Sequence, residues 1–248
     1  MVWTNFNKLW ANYFYKEHAT LVNNGKTAIY YALKHLNSKK VALPTYTCHR
    51  VLEACLLANT KPYIVDCTKK LEIDLTKIPN NVDTVIIPHM FGIQTQIPSS
   101  NKNFRIIEDC SQCIGLEGLG KNSDIVIAST GPTKWLNAGT DKENGGGIIA
   151  YNSEMEVPKY KDHIAYKLNQ LYFEIPQRLS NRQNKANELI NAGVNLIGSN
   201  QPNSWLRAMY FGTQKRIPYT PLHDIYPGFN CPIVDSYKNK LDWISIFP

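Results

Sequence analysis

The sequence has no apolar run of the roughly 18 residues that a membrane-spanning helix needs, which excludes a helical integral membrane protein. Its amino terminus, Met1 to Lys8, lacks a basic segment followed by an apolar one. No secretory signal is therefore expected, and the chain is expected to stay in the cytoplasm. Charged residues are scarce, at 19%, whereas 43% of the 248 residues are hydrophobic, a balance that builds a core and excludes disorder as the main state. No repeat or low-complexity segment stands out. Cysteine is too sparse for a disulfide scaffold: Cys48, Cys55, Cys67, Cys110, Cys113 and Cys231 read as free thiols in a reducing compartment. A concentrated charge is also missing. The net +7 divides into +4 over residues 1–150 and +3 over residues 151–248, so a nucleic-acid partner is not expected and an anionic small molecule suits the excess better.

Two motifs are present only in part. Gly25-Lys26-Thr27 opens a helix like the end of a phosphate-binding P-loop, but that loop needs a glycine five positions earlier, where Thr20 stands. Cys110-Ser-Gln-Cys113 could be half of a zinc site, but no second pair with ligand spacing follows it. Small residues packed at a strand end are the simpler reading, and no metal ligand is assigned.

From Gly25 onward, helix-like and strand-like segments alternate. Residues 27–36 and 51–58 carry helical periodicity, and strands are predicted at 41–43, 63–65, 84–87, 104–107, 125–128 and 147–150. Their unbroken Val/Ile runs suit strands covered on both faces, as in a mostly parallel α/β sheet with flanking helices. After Tyr151 the pattern changes to a long helical stretch, roughly 163–191 with a break expected at Pro176, and then a Pro- and aromatic-rich tail. The expected division is a large α/β domain over 1–155, followed by a connecting helix and a reduced α+β lobe over 156–248.

Four short segments carry chemistry. Asn24-Gly-Lys-Thr-Ala-Ile29 starts a helix, where unpaired N–H groups and a glycine suit a bound anion. Leu43-Pro-Thr-Tyr-Thr-Cys48 leads from a strand into the next helix. Ile106-Ile-Glu-Asp-Cys-Ser-Gln112 ends a buried strand in two acids, which need partners because unpaired buried carboxylates are costly. Ser129-Thr-Gly-Pro-Thr-Lys-Trp-Leu-Asn-Ala-Gly139, followed by Gly145-Gly-Gly147, sets Lys134 between a buried strand and a glycine-rich loop, where a long amine can reach inward.

In this order the segments resemble the DegT/DnrJ/EryC1/StrS family of sugar aminotransferases, from Asn24 to Asn152 and more loosely from Ile217 to Pro248. Weaker likenesses at Pro88–Gly92, Asp124, Pro221–His223 and Leu241–Pro248 support the alignment, and neither His89 nor His223 is counted as a site. The resemblance implies the type I fold of pyridoxal-phosphate (PLP) enzymes and PLP as cofactor. It implies that Lys134 bonds covalently to PLP, that Asp109 faces the pyridine nitrogen, and that Gln112 contacts the ring's 3-oxygen. It further implies that Gly25, the N–H groups of Lys26 and Thr27, and the Ser129 hydroxyl hold the phosphate. Cys48 stands where the family has an aromatic residue stacked on the ring.

The implied reaction moves an amino group from an amino acid, glutamate by expectation, to a nucleotide-linked keto sugar. The implied assembly is a homodimer. Phe6, Trp10, Tyr13 and Phe14 are candidates either for its contact or for the chain's own core. Family members are considerably longer, and the arm between sheet and small lobe is expected to be cut short here. A rival reading is a binding or regulatory protein that kept the fold and lost the reaction.

Overall fold

The structure is a computed structural model that describes residues 2–99, 103–139, 145–158, 160–212, 220–238 and 240–246. Thr140 to Asn144, between the two glycine stretches, and Phe247-Pro248 lie outside the described residues. The chain runs α1 (Val2–Tyr13), β1 (His18–Val22), α2 (Gly25–His35), β2 (Lys40–Pro44), α3 (His49–Leu57) and β3 (Lys61–Val65). It continues through β4 (Thr84–Pro88), β5 (Arg105–Asp109), β6 (Ile125–Ser129), β7 (Gly147–Tyr151) and α4 (Asp162–Asn191). The remaining elements are β8 (Arg207–Phe211), α5 (Leu222–Ile225), α6 (Pro232–Tyr237) and β9 (Leu241–Ser245).

Among the described residues, β1 to β7 form one sheet in the order β1-β7-β6-β5-β4-β2-β3. Strands β3, β2, β4, β5 and β6 are parallel, and β7 lies antiparallel between β6 and β1. The Val/Ile runs are buried on both faces, as expected. Ile107, Ile125, Ile127 and Ile149 pack under α2 and α3. On the other face, Ala128, Ile148 and Ala150 pack under α1 and α4.

The structure corrects two expectations and decides a third between its alternatives. His18–Val22 is a strand, β1, which the alternation did not reveal because five residues with a histidine and a threonine carry little apolar periodicity. Helix α4 does not break at Pro176. That proline is on the exposed side, while Leu168, Leu171, Ile175, Arg182 and Ala186 continue one buried stripe past it, so packing overrides the one lost backbone bond. Phe6 and Trp10 of α1, and Phe14 directly after it, are fully buried in this chain's own core, with Trp10 against Tyr172 of α4. They are therefore not available to a dimer contact. Strands β8 and β9 form a separate antiparallel pair.

Candidate active site

The carboxyl ends of β5 and β6 and the amino ends of α2 and α3 converge on one cavity of about 230 Å³. Ligands bind in such crevices outside the strand ends of open α/β sheets. The walls include Gly25, Lys26, Cys48, Asp109, Ser129 and Lys134, so six of the eight residues expected from the sequence meet there.

Local chemistry explains how they meet. Asn24 caps α2, its Oδ1 accepting the Thr27 N–H at 2.9 Å. A Cβ on Gly25 would lie 2.7 Å from the Ser129 Cβ, so only glycine lets the start of α2 approach the end of β6. On the neighbouring strand a Cβ at Gly147 would lie 2.5 Å from the Asn24 carbonyl, which is why position 147 is glycine. The result is a narrow cradle of first-turn amides and a hydroxyl.

Ser111 fixes the opposite wall. Its N–H donates to Asp109 Oδ1 at 2.9 Å, and its Oγ accepts the Ser129 N–H at 2.7 Å, so one buried side chain sets the ends of β5 and β6 together. Sequence reasoning missed Ser111. The signal was the Asp-x-Ser spacing, which closes a side-chain turn over two residues.

Two expected residues stand elsewhere. The Thr27 N–H is spent on the Asn24 cap, and Thr27 is not in the cavity wall, so it offers nothing to a phosphate. Gln112 is buried behind the wall with both ends of its amide engaged. Its Oε1 accepts the Phe91 N–H at 3.0 Å, and its Nε2 donates to Met90 Sδ at 3.5 Å. It braces a turn in which Phe91 adopts φ +61°, a strained conformation for a bulky side chain, and does not reach toward a ring in the cavity. Sequence reasoning also missed His49 and Arg50, which follow Cys48 and line the cavity from the first turn of α3.

Behind β5 the second acid has a different environment. Glu108 is buried, accepts the Gly120 N–H at 2.9 Å and lies 2.9 Å from His89 Nε2. Burial raises its carboxyl, but the bonds from His89, Ser123 and Gly120 outweigh that and hold it below the usual carboxylate range. The Thr95 N–H donates to His89 Nδ1 at 3.0 Å, so Nδ1 keeps its lone pair and the proton of the ring sits on Nε2, facing Glu108. His89, Cys110 and Cys113 place one nitrogen and two sulfurs within 4.8 Å of one another. Both ring nitrogens are already committed, however, and burial pushes the Cys110 and Cys113 thiols up, so the cluster reads as packing.

The C-terminal half grips both site loops. Trp135, next to Lys134, donates its indole N–H to the Ser204 carbonyl at 3.3 Å, and Ser204 Oγ donates to the Gln112 carbonyl at 2.9 Å. Buried Arg182 of α4 lies over the Trp135 ring at 5.3 Å and donates to the Trp205 and Ile246 carbonyls. Burial brings its guanidinium down to about 10.

The sheet order with its one antiparallel strand, and a site at the strand ends, define the type I fold of PLP-dependent aminotransferases. The chain belongs to the DegT/DnrJ/EryC1/StrS aminotransferase family, whose sequence profile matches residues 2–166. It is 29% identical over 158 residues to UDP-N-acetyl-3-dehydro-alpha-D-glucosamine 3-aminotransferase of Acidithiobacillus ferrooxidans, a match over 56% of this chain and 42% of that protein. It is 24% identical over 171 residues to GDP-perosamine synthase of Vibrio cholerae, covering 62% of this chain and 45% of that one. The matched region is thus less than half the length of either curated relative.

Among solved structures, NtdA of Bacillus subtilis with bound cofactor PMP superposes with a TM-score of 0.77 at 18% identity, covering 100% of this chain and 73% of that one. A DegT/DnrJ/EryC1/StrS aminotransferase of Brucella abortus gives 0.79 at 16% identity, over 99% and 85%. At these identities the superpositions establish the fold. Among the described residues, no helix is long and apolar enough to cross a membrane.

Proposed function

We propose that this chain binds PLP in the cavity at the strand ends and transfers an amino group from an amino acid, glutamate by preference, to a keto group of a nucleotide-linked sugar. The observation that carries this reading is the meeting of Lys134, Asp109, Gly25, Lys26 and Ser129 in one cavity, from three separate parts of the chain. Both curated relatives are named for chemistry on nucleotide-linked sugars, which supports the substrate class. The proposal includes a homodimer, the commonest closed assembly, and a reducing cytoplasm, which suits six free cysteines. It also keeps residues 1–155 as the cofactor-binding domain.

The residues fit the cofactor. Gly25 leaves no room for a side chain against Ser129, which brings the first turn of α2 beside the Ser129 hydroxyl, a pairing of donors that suits a phosphate in the cavity. Asp109 faces the cavity with Ser111 steadying one oxygen, leaving a carboxylate for a pyridine nitrogen. Cys48 presents a half-buried thiol to the cavity, which covers a ring face with less area than an aromatic side chain.

When bound, PLP supplies an aldehyde that bonds to amines and a ring that draws electrons from the substrate's α-carbon. Asp109 would hold a proton on the ring nitrogen, and Lys134 would hold the cofactor through its aldehyde. With that amine freed by the donor, Lys134 would serve as the base that accepts the α-carbon proton and then as the acid that gives it up. The cradle keeps the phosphate fixed while these exchanges occur. The test is to add glutamate to the PLP-loaded protein and follow the cofactor's absorbance. Conversion to pyridoxamine phosphate is expected. PLP that stays unconverted with every amino acid tried would favour the rival reading of a binding or regulatory protein.

A further inference from the structure

At the mouth of the cavity, three basic side chains crowd one acid. Lys26 Nζ and Arg50 Nη1 lie 3.3 and 2.9 Å from the same oxygen of Glu53, Oε2, and His49 Nε2 lies 3.6 Å from the other. Lys26, His49 and Arg50 contribute to the cavity lining and Glu53 does not, so the acid holds the basic groups beside the cavity from outside its wall. The group is half-open to solvent, with side-chain exposures of 23% for Lys26, 42% for Arg50 and 38% for Glu53. Exposed ion pairs contribute little to stability. Arg50 in the first turn of α3 also stands against the helix dipole, a local cost that folding alone does not explain.

Partial burial raises the Glu53 carboxyl, and the hydrogen bonds from Arg50 and Lys26 outweigh it, so Glu53 stays below the usual carboxylate range as a permanent anion. One carboxylate oxygen thus rests where two cations converge, which is the geometry an incoming oxyanion would need.

We propose that Lys26 and Arg50 form an oxyanion-recognition site for the substrate at the mouth of the cavity, with Glu53 as a built-in competitor that a substrate carboxylate or phosphate displaces. The site rests on the proposed function. Arg50 brings a planar fork that matches either group, and Lys26 a point charge beside it. Glu53 would keep small stray anions out, because only a ligand also anchored deeper in the cavity could outcompete a tethered carboxylate.

The test uses PLP-loaded wild-type protein and the variants Arg50→Gln and Glu53→Gln, with two probes in separate titrations. UDP reports a diphosphate source, and 2-oxoglutarate a carboxylate source. Calorimetry gives binding, and the cofactor's absorbance confirms equal loading. For one probe, Arg50→Gln is expected to weaken binding about tenfold or more, the loss of a charge-assisted hydrogen bond. Glu53→Gln is expected to tighten binding of that same probe several-fold at low salt. Opposite signs in adjacent positions are a result that general disturbance of α3 would not give. If both variants weaken binding, if neither changes it, or if wild type binds neither probe, the inference is overturned. Failure of the wild type to load PLP would instead overturn the functional reading, and the same titrations on the unloaded chain would then decide whether the anion site exists.

Discussion

Glu108 and Asp109 are neighbours on one strand, yet their surroundings are opposites. Glu108 points to the back of the sheet, where it is buried and His89, the Gly120 amide and Ser123 take up its oxygens. Asp109 points into a cavity where the chain supplies the Ser111 amide to one oxygen. The strand's two-residue period sends adjacent side chains to opposite faces, so a single Glu-Asp pair serves two purposes. The contrast teaches that a polar group with its partners built in holds a fold together, whereas one facing a cavity is kept for something else.

That contrast can be broken by substitution on each side. The largest effect is expected on the cavity side: Lys134→Ala should abolish covalent PLP attachment and lower turnover by three orders of magnitude or so, with the unfolding midpoint unchanged. Asp109→Asn should follow, lowering turnover about a hundredfold while PLP still loads and stability stays within about 0.5 kcal/mol. The mirror experiment, Glu108→Gln, should cost about 3 kcal/mol in denaturant unfolding, because it breaks a buried hydrogen-bonded pair, and leave turnover per loaded molecule intact. Loss of activity with full stability in Glu108→Gln would erase the distinction.

The same pair predicts a pH effect. Because folding lowers the Glu108 carboxyl, its contribution is fully present above the ordinary carboxylate pKa and is lost as pH falls through the lowered folded value. Wild-type stability should therefore decline below about pH 4.5, and Glu108→Gln should decline less steeply there. A smaller effect sharpens the comparison among thiols. Iodoacetamide should label Cys48 first, and PLP should slow it, whereas Cys110 and Cys113, buried with raised thiols, should react only on unfolding. Peptide mapping of the labelled protein reads this directly.

The sequence showed the parts whose signals are local. Buried parallel strands announce themselves as Val/Ile runs, and the capped start of α2 as Asn-Gly. Lys134 and Asp109 were legible because each sits in a run with fixed spacing to glycines or to a strand end. What stayed hidden depends on distant partners. Thr27 looked like a phosphate donor until the Asn24 cap claimed its amide, and Gln112 looked like a ring contact until Phe91 and Met90 took its side chain. Pro176 looked like a helix break because the buried stripe of α4 is held by distant segments, Leu171 and Ile175 in the core shared with α1 before the proline and Ala186 among Leu196, Trp205 and Ile246 beyond it. Arg182, a buried cation over Trp135, had no sequence signal at all: its partners are a ring and two carbonyls from other segments.

The account's central claim is that Lys134 carries the cofactor, and reduction tests it most directly. The protein is incubated with PLP, treated with borohydride, digested and analysed by mass spectrometry. A pyridoxyl adduct confined to Lys134, and lost in Lys134→Ala, is the predicted result. An adduct on Lys26 or on surface lysines with none on Lys134, or no adduct at all, would contradict it.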